Sequence, residues 1–281
     1  MSSHTPSMRD MLYEVPGPRA RRRIRVWTAV GSVLLLALVV LVLRQFALKG
    51  QFAPRYWAFF LQPTTWAFLG TGFLGTLWAS LAAGALALML GLVLMLGRIN
   101  GPMVVRGVCR VVTDFFRGVP SLLLIYFFFL VLPQYGISMQ PFWMIVLPAG
   151  LAASGVLAEV FRAGVNAVPT GQVEAALSLG MSQRAITFKI VLPQAVRFVI
   201  PTLISQLVVV VKDTTLAYVV SYPDMMQNAR VLVNNYNALV STYLVAAVIY
   251  ILLNYLINKA AALVASRTGV TIMTRSSARP I

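Results

Sequence analysis

Residues 169–197 read PTGQVEAALSLGMSQRAITFKIVLPQAVR, and the interpretation of the whole chain starts from this segment. It is too polar to cross a bilayer, yet its apolar residues recur at helical spacing. The pattern predicts a short amphipathic helix that ends at Gly180, because glycine readily adopts the left-handed conformation that closes a helix. A second short helix is predicted to begin after Ser182, a good N-cap, and to stop at Pro193.

Two short helices joined at a glycine are suited to docking against a partner protein. An amphipathic helix lying flat on lipid headgroups has the same pattern. The pattern of residues 169–197 alone leaves both interpretations open.

The sequence around this segment is that of a membrane protein. Apolar residues make up 59% of the 281 positions and charged residues 11%, whereas soluble domains contain about 25% charged residues. A helix of roughly 20 apolar residues crosses the hydrocarbon core. We therefore predict an all-α integral membrane protein with about six transmembrane helices, near residues 27–46, 68–97, 119–133, 142–167, 198–222 and 238–265.

The net charge of +16 would suggest nucleic-acid binding in a soluble protein, but the positions of the charges favour membrane orientation instead. Lys and Arg lie mainly at the ends of apolar runs, where they set topology and attract anionic lipid. With the N-terminus inside, eighteen basic residues fall on the inner side, and only Arg44, Lys49, Arg55 and Arg230 fall on the outer side. This asymmetry predicts that both termini and the segment 169–197 are cytoplasmic.

The same reading divides the chain into three parts. Residues 1–25 are predicted to be an unstructured basic tail, residues 26–267 a transmembrane domain that includes the loop 169–197, and residues 268–281 a second cytoplasmic tail. One predicted span carries a row of small residues, Ala79, Ala83, Ala87 and Gly91, which predicts close helix packing.

Lys212 and Asp213 interrupt an apolar run near the middle of the fifth predicted span. A charge at the bilayer centre costs about 3 kcal/mol, so such residues face a cavity or a partner charge. Adjacent helical residues point about 100° apart and pair poorly with each other. Either these residues, with Thr214 and Thr215, bind a polar solute, or they form a structural ion pair, for example with Glu159.

Two further polar residues are candidates for the lining of a substrate path. Gln206 lies one to two turns before Lys212, and Glu159 lies deep in the fourth span, where Arg162 at i+3 provides a helix-face partner. With a single His and a single Cys, the chain has no predicted catalytic residue or metal site. It also lacks the GxxxxGK[ST] phosphate loop, so any ATP is expected to bind elsewhere.

The central segment resembles the EAA loop of bacterial ATP-binding-cassette (ABC) importer permeases. The spacing EAA-x3-G-x9-I-x-LP is matched without a gap by Glu174, Ala175, Ala176, Gly180, Ile190, Leu192 and Pro193. Phe116–Pro120 (FRGVP) and Ala158–Arg162 (AEVFR) resemble segments of the polar amino-acid permeases within that family, as does KDTTL at residues 212–216. Val156 departs from the family, which often has an aromatic residue there.

The resemblance implies a type I importer permease in which these seven residues couple the membrane domain to a separate ABC ATPase, which binds ATP and Mg²⁺. It also implies a second permease, either an identical copy or a sister chain, and an extracellular or periplasmic solute-binding protein. The implied location is the bacterial plasma membrane with its lipid, and the implied substrate is a polar amino acid, with glutamate as a candidate. A secondary transporter or channel for a small polar solute is the alternative; a membrane enzyme or an anchor fits the residues poorly.

Overall fold

The computed structural model describes residues 17–267, and the regular elements in that range are all helical. The chain divides into two units, Met1–Trp57 and Ala58–Ile281. The described part of the first unit consists of helix α1, Pro18–Leu48, and a 3₁₀ turn, Pro54–Tyr56. Residues 18–25 were predicted to be unstructured; this is wrong, because Pro18 at the first turn starts a helix that continues into the apolar run.

The second unit begins with a 3₁₀ turn, Ala58–Leu61, and contains the other long helices. The polypeptide passes through α2 (Pro63–Asn100), α3 (Met103–Gly118), α4 (Ser121–Tyr126), α5 (Pro141–Asn166), α6 (Thr170–Ser178), α7 (Gln183–Ile186), α8 (Leu192–Thr214), α9 (Met225–Tyr236) and α10 (Leu239–Arg267). The predicted tail 268–281 and residues 1–16 lie outside the described part of the chain.

Five of these helical segments are long and apolar enough to cross a membrane, and a sixth follows if the bent pair α3–α4 counts as one span. The predicted all-α membrane fold is confirmed. Four of the predicted spans fall on α1, α2, α5 and α10, with boundaries shifted by one to nine residues. The predicted span 198–222 is the last part of a longer helical segment, Gln183–Val220.

The third predicted span, 119–133, needs correction. Its helical segment, Ser121–Tyr135, follows α3 with a bend of 98° between the two. α3 ends at Gly118, and Pro120 cannot donate a backbone hydrogen bond to the preceding turn, so the two helices are separate. The amphipathic helix α3 was missed because its four charged residues interrupt the apolar run that the prediction followed.

The predicted small-residue face is confirmed. Ala79, Ala83 and Ala87 are fully buried. Gly91 packs against α5 so closely that a Cβ there would lie 2.9 Å from the Leu157 Cβ. Small side chains let helix backbones approach and maximise van der Waals contact where lipid gives no hydrophobic driving force.

The connection between α8 and α9 is fixed to the first half of α2. The Tyr222 hydroxyl donates to the Gly75 carbonyl at 3.1 Å, and Asn228 Nδ2 donates to the Phe68 carbonyl at 2.7 Å. Asp224 caps α9 by accepting from the Gln227 amide at 2.8 Å. These bonds join α9 and α2 into one layer at the end of the bundle away from α6.

Candidate transport and coupling sites

A cavity of about 160 Å³ lies where the break between α3 and α4 meets α5 and α8. We call it the central cavity. Its polar side chains are Arg117, Ser121, Gln206 and Asp213, and its apolar wall includes Val156. The Ser121 hydroxyl lies beside the Asp213 carboxyl. One cationic, one anionic, one amide and one hydroxyl group therefore face the same small space.

Two predicted substrate-path residues, Gln206 and Asp213, are brought together in this cavity. Thr214 is not: it is fully buried, with its Oγ1 3.0 Å from the Ser80 Oγ and donating to the Val211 carbonyl at 2.8 Å. Thr214 therefore joins α8 to α2.

Lys212 and Thr215 also lie outside the lining of the central cavity. Lys212 was predicted near the middle of a span, but it occupies the last turn of α8 and is exposed. The Thr215 hydroxyl donates to the Lys212 carbonyl at 2.6 Å. The shift arises because the helical segment begins at Gln183, well before the predicted start of the span, so Lys212 lies nearer its far end.

Glu159 is the centre of an ion-pair network that joins three helices. Its carboxylate accepts from Arg98 on α2 at 2.5 Å and from Arg162 on α5 at 2.8 Å, and Arg117 at the end of α3 lies 3.7 Å away. The predicted Arg162 partner is confirmed. The ion pair considered between Glu159 and Lys212 is absent: within residues 17–267, neither Lys212 nor Asp213 forms an ion pair.

A second cavity, of about 370 Å³, adjoins this network and is lined by Glu159, Arg162 and Thr202. Arg117 and Val156 line both this cavity and the central cavity. They therefore stand at the boundary between the two spaces. Half of the Arg117 side chain is exposed, whereas only 13% of the Arg98 side chain is, so Arg117 is the more available guanidinium.

Arg117 is the residue that sequence reasoning missed, because it was counted with the cytoplasmic basic residues. The available signal was its position in FRGVP, where glycine and proline break the helix. Broken helices line substrate sites in many membrane transporters, since backbone outside a helix is tolerated where it faces a cavity.

The predicted coupling segment has an exposed face and an anchored face. Glu174, Ala175, Gly180 and Pro193 are exposed. Ala176 is buried in a cluster with Val168, Ile186, Val191 and Ala195, while Ile190 and Leu192 are half-buried. One side of α6 is thus packed on the start of α8, and the other side is left for a partner.

The local conformations of this segment agree with two predictions and correct a third. Gly180 has φ +75°, and the Ser182 hydroxyl caps α7 by accepting from the Ala185 amide at 3.4 Å. Pro193 does not stop the second helix: α7 passes through a π-helical turn, Thr187–Val191, into α8. Proline is tolerated there because it falls in the first turn of α8.

Comparisons with known proteins connect this arrangement with transport. Residues 87–270 match the family described as binding-protein-dependent transport system inner membrane components. The glutamate transport system permease protein of Corynebacterium glutamicum is 36% identical over 73% of this chain and 77% of its own length. The L-cystine transport system permease protein TcyB of Bacillus subtilis is 28% identical over 70% of this chain and 85% of its own length.

Among solved structures, an amino acid ABC transporter crystallised with histidines is similar to this chain. The TM-score is 0.68 at 25% identity, covering 72% of this chain and 94% of the other. The matched part of that protein has the same helical fold as the bundle described above.

Proposed function

This chain belongs to the family of binding-protein-dependent transport system inner membrane components, and on that premise we propose that it conducts polar amino acids through the central cavity. It is a multi-pass permease subunit of an ABC importer and works with an ATPase and a solute-binding protein. Membership in this family decides against the alternative of a secondary transporter or channel.

The observation that carries the substrate class is the presence of Arg117 and Asp213 in the lining of one cavity. Every free amino acid carries an α-carboxylate and an α-ammonium group. Arginine holds a carboxylate with two parallel hydrogen bonds, and aspartate accepts from an ammonium group. We assign Arg117 to the carboxylate, Asp213 to the ammonium, and Gln206 with Ser121 to polar atoms of the side chain.

The names of similar proteins support this class. The relatives above are named for glutamate and L-cystine, and the similar structure is described with histidines. These are polar amino acids that share the zwitterionic head group and differ in the side chain. Val156, which faces both cavities, is placed to limit side-chain size at the boundary between them.

The coupling role is proposed for Glu174, Ala175, Ala176, Gly180, Ile190, Leu192 and Pro193. The exposed Glu174 and Ala175 meet the ATPase, and the buried Ala176 transmits its movement to α8 through the cluster with Ile186 and Val191. ATP and Mg²⁺ bind to that partner rather than to this chain. A second permease, identical or sister, completes the complex.

The proposed topology places the coupling segment and both termini in the cytoplasm. It places α9 and the beginning of α2 at the outer side of the bacterial plasma membrane. The excess of Lys and Arg in the inner segments supports this orientation.

Uptake of radiolabelled amino acids by cells that lack the native permease tests the proposal. Arg117→Gln and Asp213→Asn each remove one charge from the cavity, so each is expected to lower uptake at least about tenfold, as lost hydrogen bonds to a charged group do. Asp114→Asn, an exposed carboxylate on α3, is the control. Wild-type uptake of sugars but not of amino acids would overturn the proposal.

A further inference from the structure

A groove outside the central cavity gathers four arginines where α2, α3 and α5 come together. Arg98, Arg106, Arg110 and Arg162 line a space of about 660 Å³, together with Ile99, Met103 and Gly107. We call it the arginine groove. The space beside Gly107 is open, since a Cβ at this position would meet nothing within 4 Å.

The groove carries a surplus of positive charge. Glu159 pairs with Arg98 and Arg162 on one side of it. Arg106 and Arg110 are exposed and form no ion pair within residues 17–267. Four guanidinium groups around one space, with one carboxylate to balance them, constitute a site for an anion with several acceptor oxygens.

The position of the groove indicates the source of that anion. Ile99 lines both the arginine groove and the cavity beneath α6, and the next residue, Asn100, accepts from the Thr187 hydroxyl at 3.2 Å beside the coupling segment. If the coupling segment is cytoplasmic, as the proposed function requires, the groove lies at the inner membrane surface. The phosphates of inner-leaflet lipids occupy that level.

The opposite face of α3 is suited to contact with acyl chains. Val104, Val108, Val111 and Phe115 follow one another at intervals of four, three and four residues and are all more than half exposed. They form one apolar stripe along the helix, roughly 150° around the helix axis from Arg106 and Arg110. α3 therefore has a basic side and an apolar side, as helices at the interface between head groups and acyl chains have.

We propose that the arginine groove binds the phosphate group of an anionic phospholipid and thereby fixes α3 against α2 and α5 next to the coupling segment. Basic pockets between helices on the cytoplasmic side are known to hold phosphate head groups, and each nearby arginine contributes about 1 kcal/mol. The same chemistry would accept a soluble phosphate, so the test separates the two sources.

Native mass spectrometry measures the affinity of the groove for lipid. The purified complex with its ATPase is titrated with phosphatidylglycerol or with phosphatidylcholine. The double variant Arg106→Gln/Arg110→Gln is expected to bind phosphatidylglycerol roughly 30-fold more weakly than the wild type. Each single variant is expected to lose about fivefold, which keeps the test decisive if the double variant is unstable. The control Arg22→Gln/Arg23→Gln removes the same charge from α1 and is expected to leave the affinity unchanged.

Three results would overturn the inference. Equal weakening in the control pair would mean that the lipid is held by diffuse surface charge. Equal affinity for phosphatidylcholine, whose phosphate is neutralised by its own choline cation, would mean that the groove does not select an anionic head group. Displacement of phosphatidylglycerol by inorganic phosphate alone, at similar concentration, would assign the groove to a soluble anion. Amino-acid uptake by the wild-type complex in cells, measured in parallel, tests the proposed function separately, because that measurement does not use the lipid titration.

Discussion

Gly155 on α5 lies directly against the backbone of Arg117 at the end of α3. A Cβ placed on Gly155 would come within 2.8 Å of the Arg117 nitrogen and within 2.8 Å of the Thr113 carbonyl oxygen. Both are backbone atoms, which cannot move aside without moving the helix. The absence of a side chain at position 155 therefore sets how deeply α3 enters the bundle and where Arg117 stands in the central cavity.

Gly155→Ala is expected to push α3 away from α5 and to displace Arg117 from the central cavity that it lines with Asp213. Overpacking of this kind costs about 1–3 kcal/mol, and we expect the KM for amino-acid uptake to rise by roughly tenfold. Gly118→Ala is the matched control, because a Cβ at Gly118 meets nothing within 4 Å. An unchanged KM in Gly155→Ala would show that the position of α3 does not determine substrate binding.

Glu159→Gln is expected to destabilise the fold, because three guanidinium groups lose the one carboxylate that pairs with them within residues 17–267. The Glu159 and Arg98 side chains are less than one-fifth exposed. Breaking a buried ion pair costs about 3–5 kcal/mol, which corresponds to a fall of roughly 6–20 °C in the thermal midpoint of the purified protein. Asp114→Asn, on the exposed face of α3, is expected to leave the midpoint unchanged.

The coupling segment could be predicted from the sequence because its signals are local. A glycine with positive φ at position 180 and a serine cap at position 182 each act within one helical turn. Pro193 shows the limit of such reasoning. Proline disrupts a helix when it lies in the helix interior, but it is tolerated in the first turn. The sequence alone did not reveal that α8 starts at Leu192, which places Pro193 in that first turn.

The central cavity could be predicted only in part. Gln206 and Asp213 could be predicted as lining residues, because polar side chains within an apolar span are costly unless they face a cavity or a polar partner. Arg117 could not be paired with them, since the two segments are far apart in sequence and meet through the 98° bend between α3 and α4. The break itself is local, at Gly118 and Pro120. The packing of α3 against Gly155 is a contact between distant segments that periodicity and composition do not encode.

Glu174→Arg is expected to abolish recovery of the ATPase when the tagged permease is purified in mild detergent. Glu174 is exposed on α6, so the change should not disturb insertion, and the reversed charge faces the partner. Gln172→Arg is the control, since residue 172 is also exposed but points to the opposite side of the helix. Full recovery of the ATPase with Glu174→Arg would refute the coupling role of this residue.

Asp224 provides a prediction about pH. It is fully buried between α2, α9 and α10, with the Tyr250 hydroxyl 3.5 Å from its Oδ2. Burial raises its pKa to about 6 from an ordinary value of 3.8. Because the pKa is higher in the folded state, the stabilisation is fully present below about pH 4 and is lost as the pH rises through about 6.

Asp224→Asn removes this titration while retaining a side-chain oxygen that can accept from the Gln227 amide. We expect the variant and the wild type to have similar thermal midpoints near pH 4, where Asp224 is protonated. The variant should then become the more stable of the two as the pH rises through 6, by at most about 3 kcal/mol. Midpoints of both proteins measured between pH 4 and pH 8 check this, with Asp114→Asn as a carboxylate control. A difference between variant and wild type that stays constant over that range would mean that Asp224 is ionised throughout, and that its hydrogen bonds outweigh its burial.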